Sequence, residues 1–242
     1  MQNKRHPFSS ILYHQGMRKC SAVILSLSVG LGLTGCYRSV TPNFYTLTPK
    51  ISPLVTSNVQ VIEVVPVSLP QRLDTPLMVL QDPNGKSYVL DNQRWTSSLS
   101  NELQSGLSAG LQQKLGAIDV YNNGLTGGRV FYSIATEFSR FDIVEHADKS
   151  KTEIEVMATW VIKRNDPNTS LTQTTATASQ TSKSQLNCRM SFKNEVIDSN
   201  HDFLNIVSTY QNSLNRVVDA IATATIALDA AKKPVIDGVI CS

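Results

Sequence analysis

Residues 130–145 read VFYSIATEFSRFDIVE, and residues 152–164 read TEIEVMATWVIKR. Both stretches are rich in β-branched and aromatic residues, which favours extended strands. The segment His146–Lys151 between them is short and polar, as turns are. We therefore predict that Val130–Glu145 and Thr152–Arg164 pair as a long antiparallel hairpin.

Two other stretches have the periodicity of helices. Between Gln93 and Leu115 a tryptophan and five leucines recur every four residues. This spacing predicts a helix of about six turns that Gly116 ends. From Phe203 to Leu228 apolar residues are spaced by four and three in turn, which predicts a helix of roughly 30 residues between a Ser199 cap and Pro234. Its apolar seam suits packing on a sheet, although a coiled coil has similar spacing.

Shorter runs complete the sheet. Val59–Val67 is almost continuously β-branched and predicts a buried strand, and Asp82-Pro83-Asn84-Gly85 is a turn signal inside the hairpin Leu77–Asp91. The Thr- and Ser-rich stretch Leu171–Leu186 suits a polar edge strand, although a disordered linker has a similar composition. The other predicted strands are Phe44–Leu47, Leu77–Gln81, Tyr88–Asp91 and Ile118–Tyr121.

These elements predict the α/β fold class, with a mainly antiparallel sheet and two helices packed on one face. We assign residues 58–242 to this single domain. The hairpin Leu77–Asp91 and the polar strand Leu171–Leu186 are the segments whose edges we expect to be free for a partner.

The N-terminus has the pattern of a bacterial lipoprotein leader. Arg18-Lys19 precede an apolar run that is long enough for a secretory signal and too short to cross a bilayer comfortably. The run ends in Leu33-Thr34-Gly35-Cys36, which resembles the lipobox, where the cysteine becomes the lipidated first residue. We assign residues 1–35 to the signal peptide, Cys36 to lipidation, and residues 36–57 to a tether with a short strand. A plain secreted protein and an N-terminal anchor helix are the alternatives.

Two further features bear on this leader. Met17 gives a more ordinary leader than Met1, so we expect translation to start there. Tyr37 follows Cys36. In enterobacterial lipoproteins, an aspartate at that position is the usual signal that retains the protein in the inner membrane. The resemblance therefore implies an outer-membrane location with the domain in the periplasm.

The charge of the chain belongs to the leader. Residues 1–35 contain four of the 22 basic residues and none of the 19 acidic ones, so the remainder has a formal net charge of −1. A nucleic-acid-binding domain is usually basic on at least one face. We therefore expect no nucleic-acid partner.

Four cysteines are present, and Cys20 and Cys36 belong to the leader and its lipidation site. Cys188 and Cys241 are left over, and the periplasm is oxidising. A leftover pair in that compartment is a disulfide candidate, with two buried free thiols as the alternative. No cysteine or histidine spacing suggests a zinc site.

The sequence contains little that indicates catalysis. Beyond residue 35 the only histidines are His146 and His201, and no nucleophile elbow or phosphate-binding loop is present. Glu153 and Glu155 lie on one strand face, where acid pairs are usually solvated. We therefore expect a protein that is not an enzyme and that needs no cofactor and no metal.

An ordered set of landmarks resembles the PqiC family of auxiliary lipoproteins of ABC-type and MCE-type envelope transport systems. The landmarks are Phe44-Tyr45-Thr46-Leu47, Val64-Val65-Pro66-Val67-Ser68-Leu69-Pro70, Leu73-Asp74-Thr75-Pro76 and Asp91-Asn92-Gln93-Arg94-Trp95. The chain departs from the family at Thr75, where arginine is frequent, and in the more polar stretch Leu171–Gln185.

The resemblance implies a fold like that of the TolB N-terminal domain and a role in lipid transport and membrane integrity. It implies as partners an MCE-domain protein and an inner-membrane component, with a homo-oligomeric ring as a further possibility. Arg94 and Trp95 are the candidate partner-binding residues, although Trp95 also suits the core and Arg94 a local cap or ion pair.

Three hypotheses follow. The first is an auxiliary subunit and docking scaffold of an inter-membrane lipid transporter. The second is another lipoprotein binding module on a TolB-like domain, such as a peptidoglycan synthase activator. The third is a periplasmic hydrolase, which would require a deep pocket with a nucleophile and a base in contact.

Overall fold

The computed structural model describes residues 41–47, 57–146, 151–167, 184–197 and 203–242. The strands are β1 (Asn43–Tyr45), β2 (Val61–Val64), β3 (Leu77–Gln81), β4 (Ser87–Trp95), β5 (Ile118–Asp119), β6 (Phe131–Glu145), β7 (Thr152–Asn165), β8 (Gln185–Glu195) and β9 (Val239–Cys241). The helices are α1 (Leu99–Leu115), between β4 and β5, and α2 (Phe203–Asp229), between β8 and β9. All of them lie in the compact unit Pro42–Ser242.

The described strands form one mixed sheet. Its main order is β1-β4-β3-β6-β7-β8-β9, and β2 joins it through β6 and carries β5. The long hairpin of β6 and β7 is antiparallel over almost its whole length, with a bulge between Phe138 and Arg140. Short parallel pairings attach β1 to β4, β3 to β6 and β2 to β6. The predicted class, a mostly antiparallel sheet with two helices, is therefore confirmed.

Alternation along the strands decides which face of the sheet is covered. In β7, Ile154, Val156 and Ala158 are buried, whereas Met157 and Thr159 between them are exposed. The buried face meets α2, whose 27 residues carry the apolar seam predicted from the spacing. Burial of this seam against the sheet removes apolar surface from water, which is the main force that holds the layers together.

Helix α1 begins later than the sequence predicted. The predicted helix started at Gln93, but Gln93–Trp95 belong to β4 and pair in parallel with Asn43–Tyr45. The Trp95 backbone N–H donates to the Pro76 carbonyl at 2.7 Å, so this residue is tied into the extended strand rather than into a helical turn. The predicted end is confirmed, because Gly116 adopts the left-handed conformation with φ 65°.

The hairpin of β3 and β4 is only partly covered at its edges, and Ser87–Asp91 has no strand on its outer side among the described residues. Strand β3 pairs with β6 on its other side, and the end of β4 pairs with β1. The predicted strand Leu171–Leu186 lies outside the described residues except for Ser184–Leu186. The strand beside β7 is β8, which the sequence analysis did not assign. Its alternating Cys188 and Met190 are buried, as a strand against the core requires.

The C-terminus is fastened to the sheet by a disulfide. Strand β9 pairs antiparallel with β8, and Cys188 and Cys241 are opposite each other in the register. Their sulfurs are bonded, and the bond spans 53 residues of sequence. The pair that the cysteine count indicated is therefore present, and it closes the chain around α2. Within the described ranges, no helix is long and apolar enough to cross a membrane.

Candidate docking surface beside the anchor-proximal strand

Strand β1 and the two residues after it form the part of the described chain that lies closest in sequence to Cys36. We call Asn43–Leu47, with its contacts on β4 and α1, the β1 edge. Three parallel register pairs join β1 to β4. The Tyr45 hydroxyl donates to Gln93 Oε1 at 2.8 Å, and the Thr96 backbone N–H donates to the Tyr45 carbonyl at 2.9 Å. These bonds make the segment an integral strand of the sheet.

A buried carboxylate fastens the end of this edge to α1. Glu102 Oε2 accepts from the Leu47 backbone N–H at 3.0 Å. Glu102 Oε1 accepts from Thr96 Oγ1 at 2.5 Å and from Ser97, whose backbone N–H lies at 3.1 Å and whose Oγ lies at 2.8 Å. Burial disfavours the charged form of this carboxyl, but the donated hydrogen bonds outweigh burial and lower its pKa.

Trp95, the first of the two candidate partner-binding residues, is only 2% exposed. Its ring meets the Tyr210 ring edge-on, with centroids 5.1 Å apart. The Tyr210 ring also packs edge-on against Phe141, and its hydroxyl donates to the Phe141 carbonyl at 3.0 Å. Burial raises the pKa of the Tyr210 phenol. Trp95 therefore connects β4 to α2 from inside the core, where a partner does not reach it.

Arg94, the second candidate, points to the other side of the sheet. Side chains alternate along a strand, and Arg94 is half-buried and registered with Phe44 on β1 and Leu77 on β3. Phe44 is 60% exposed. The Arg94 Nε atom is buried and has no hydrogen-bond partner among the described residues. An exposed aromatic ring beside a half-buried arginine is a combination that protein interfaces favour.

The outer face of the long hairpin carries a ladder of ion pairs. Arg140 pairs with Glu155, and Lys193 Nζ lies 2.6 Å from both Glu155 Oε1 and Glu153 Oε1. His146 Nε2 lies 3.5 Å from Glu153 Oε1. Lys193, followed by Arg140, lowers the pKa of the Glu155 carboxyl, and the two glutamates raise the pKa of Lys193. These charges neutralise one another beside a cavity of about 320 Å³, which Asp82 also lines.

A cavity of about 510 Å³ lies along the polar face of α1. Asp119 at the end of β5 forms its floor and accepts from the backbone N–H groups of Val64 at 3.1 Å and Tyr121 at 3.0 Å. Ser108 Oγ donates to the same carboxylate at 2.5 Å. The groove is therefore built by bonds between α1, β2 and β5.

The other residues that the sequence singled out lie apart. Cys36 and His201 are outside the described residues, and His146 belongs to the ion-pair ladder. Among the residues that the structure describes, no cluster of three or more histidine, cysteine, aspartate or glutamate side chains could hold a metal ion. Glu102 was not predicted, because the capping-box pattern requires a serine or threonine three residues before the acid and Leu99 is at that position.

The mixed sheet and the β1 edge define a class of protein: an α/β domain in which Asn43–Tyr45 form a strand of the sheet. The model of a family described as the ABC-type transport auxiliary lipoprotein component matches residues 45–222. Because this match spans well over half of the chain, the chain belongs to that family. It is the PqiC-like family that the landmarks indicated, and it is a transport auxiliary family rather than an enzyme family.

Solved structures are similar in fold. A crystal structure of an uncharacterized protein aligns with a TM-score of 0.50 at 17% identity, over 76% of this chain and 97% of that chain. A protein from Xanthomonas campestris, described as a DUF330 family member, aligns with a TM-score of 0.49 at 14% identity, over 79% of this chain and 96% of that chain. A search of curated protein sequences finds no significant match. The likeness to the TolB N-terminal domain stays a prediction.

Proposed function

We propose that this protein is an outer-membrane-anchored docking scaffold for an MCE-domain partner in an envelope lipid transport system. Its membership of a transport auxiliary lipoprotein family supports the transport role. The observation that carries the docking role is the pairing of β1 with β4 directly beside Arg94 and Phe44. The candidate docking residues and the anchor-proximal strand are thereby parts of one rigid edge.

The anchor and the strand together limit where the domain works. The seven residues from Tyr37 to Asn43 reach at most about 25 Å when fully extended. If Cys36 carries the lipid, the β1 edge lies within that distance of the membrane surface. Several acyl chains would hold it there, since each buried methylene contributes about 0.8 kcal/mol. A short, fixed reach suits a terminal docking station for a protein that arrives from the inner membrane.

Arg94 is the residue through which we expect recognition. Arg94 is half-buried, so we expect the part of its side chain that reaches the surface to form a charge-assisted hydrogen bond with an acidic or carbonyl group of the partner. Phe44 supplies exposed aromatic area next to it. Such pairs of an aromatic and an arginine are frequent energetic centres of interfaces.

Site-specific photocrosslinking in intact envelopes tests this proposal. A photoreactive amino acid in place of Phe44 should recover an MCE-domain protein. The same group in place of the exposed Leu125, on the loop between β5 and β6, should not. Equal recovery of the MCE-domain protein at both positions would contradict the docking role. Recovery of only a peptidoglycan synthase at Phe44 would also contradict it and would favour the alternative function, activation of a peptidoglycan synthase.

A second arm examines Arg94 directly. Arg94→Ala should reduce recovery of the MCE-domain protein, whereas Lys163→Ala on the exposed face of β7 should leave it unchanged. Equal urea midpoints of the two variants would show that the loss is not caused by unfolding.

Self-association into a ring is a separate part of the proposal, and each interface would bury roughly 1,000 Å² or more. Native mass spectrometry of the lipidated chain should then give one defined oligomer.

A further inference from the structure

We propose that the groove along the polar face of α1 binds a neutral carbohydrate chain. The groove has a volume of about 510 Å³, within the range of small-ligand sites. One wall is formed by the side chains of α1 and the other by the residues after β2 and β5. The α1 wall consists of Ser100, Asn101, Gln104, Ser105, Ser108 and Gln112.

The lining is polar but almost free of charge. The described residues that line it include no lysine, arginine, histidine or glutamate, and one acid, Asp119. That carboxylate already accepts hydrogen bonds from Val64, Tyr121 and Ser108. A solvent-facing helix side is usually rich in charges, whereas this one presents hydroxyl and amide groups. Such a surface offers donors and acceptors to a hydroxyl-rich ligand and no counter-charge to an anion.

Gln104 supplies an acceptor that the protein leaves unused. Its Nε2 donates to the Val64 carbonyl at 2.6 Å, which orients the amide. Its Oε1 is buried and has no donor within the described chain. A buried acceptor without a partner is unfavourable, so a small rotation of the Gln104 amide that brings Oε1 to a ligand hydroxyl in the groove would remove that penalty. This atom distinguishes the groove from an ordinary hydrated helix face.

Tyr121 supplies an apolar surface in the same groove. Its side chain is 41% exposed, and its backbone N–H is fixed by Asp119. A sugar ring has one face of C–H groups and a rim of hydroxyls. An exposed aromatic ring beside amide and hydroxyl groups can accept both. Two envelope sources carry such sugar rings: the glycan strands of the cell wall and, with anionic groups attached, the core sugars of lipopolysaccharide.

Measurement of the dissociation constants of oligosaccharides for the full chain tests the proposal. The protein is kept in a detergent without a sugar headgroup, so that the detergent does not compete for the groove. The neutral probe is chitotetraose, compared with soluble cell-wall glycan fragments and with lipopolysaccharide core oligosaccharide. We expect saturable binding of chitotetraose with a millimolar Kd or tighter, and the tighter of the other two identifies the source. Absence of saturation by all three, or binding of only the anionic core with loss at high salt, would overturn the proposal.

Matched variants locate the binding. Tyr121→Ala and Gln112→Ala should each weaken binding roughly tenfold, the scale of one lost contact. Tyr88→Ala is the control for the first, because Tyr88 is 42% exposed and lies outside the groove. Gln113→Ala is the control for the second, since this neighbouring glutamine does not line the groove. Equal losses of affinity in the variants and their controls would overturn the proposal. If Tyr121→Ala fails to fold, Tyr121→Phe takes its place and should retain binding.

Discussion

The carboxylate of Glu102 accepts the backbone N–H of Leu47 at 3.0 Å, across 55 residues of sequence. This hydrogen bond joins the end of the β1 edge to a buried carboxylate in the first turn of α1. The first four N–H groups of a helix have no partner inside it, so acceptors close to its start are favourable. Glu102 therefore ties the end of the β1 edge and the residues just before α1 to the first turn of the helix.

Glu102→Gln should destabilise the domain by about 1–3 kcal/mol, because an amide group cannot accept all of the hydrogen bonds that the two carboxylate oxygens accept. The folded protein lowers the pKa of this carboxyl below its ordinary value of 4.5. A lowered pKa contributes stability above that value, and the contribution is lost as the pH falls through the folded pKa. Urea unfolding at pH 7 and at pH 3 should show the difference between variant and wild type shrinking in acid. Glu137→Gln, an exposed carboxyl on β6, is the control, and a loss equal to that of Glu102→Gln would refute the role of burial.

Gly106→Ala should destabilise the contact between α1 and α2. A Cβ atom at Gly106 would lie 2.5 Å from Leu214 Cδ2 and 2.9 Å from the Leu47 carbonyl oxygen. Overpacking of this kind costs about 1–3 kcal/mol, against about 1 kcal/mol gained from the helix propensity of alanine. The backbone carbonyl cannot move aside as a side chain can, so the loss should prevail. Ser105→Ala, one residue earlier, should be neutral or slightly stabilising, and thermal unfolding compares the two.

Removal of the disulfide should lower stability strongly. For the 53 residues between Cys188 and Cys241, the chain-entropy relation gives about 4 kcal/mol as an upper-end value. Cys188→Ala/Cys241→Ala should therefore shift the urea midpoint down, and a reductant should shift the wild type but leave the double variant unchanged. An unchanged midpoint of the wild type after full reduction would show that β9 holds without the bond.

Arg72→Ala should expose the cost of a buried, unpaired acid. Asp142 on β6 is buried, and Arg72 pairs with it by two hydrogen bonds, one of them 3.1 Å between Nη2 and Oδ2. Hydrogen bonding to Asp142 is the main cause that raises the pKa of Arg72. Loss of the partner should cost about 1–3 kcal/mol, since Arg72 itself is partly solvated. A double variant, Arg72→Ala/Asp142→Asn, should recover part of this loss in chemical unfolding.

The sequence predicted the central hairpin well, and the reason is physical. Strands β6 and β7 are rich in β-branched and aromatic residues and flank a short polar turn, so local composition located them to within a residue or two. The start of α1 was misplaced because Trp95 lies four residues before Leu99. Both residues face the core, one from a strand and one from a helix, and spacing cannot distinguish these cases.

The candidate surfaces were less predictable because they depend on contacts between distant segments. Arg94 was identified from a motif, but its neighbour Phe44 became visible only through the register of β1 and β4. The groove along α1 requires Asp119 and Gln104 to meet residues of β2, which no local pattern encodes. Strand β8 was missed because the strand was assigned to the adjacent threonine-rich run Leu171–Leu186, whose composition favours strands.

Cys36→Ser should release the protein from the membrane into the soluble fraction of the periplasm. The lipobox-like Leu33-Thr34-Gly35-Cys36 motivates this prediction, and the thiol of Cys36 is the atom that lipidation requires. The β1 edge should fold unchanged, because Asn43–Tyr45 pair with β4 independently of the residues before them. Fractionation of envelopes, with Cys20→Ser as the matched control inside the leader, gives the readout. Membrane retention of the Cys36→Ser protein at wild-type level would place the anchor elsewhere in the chain.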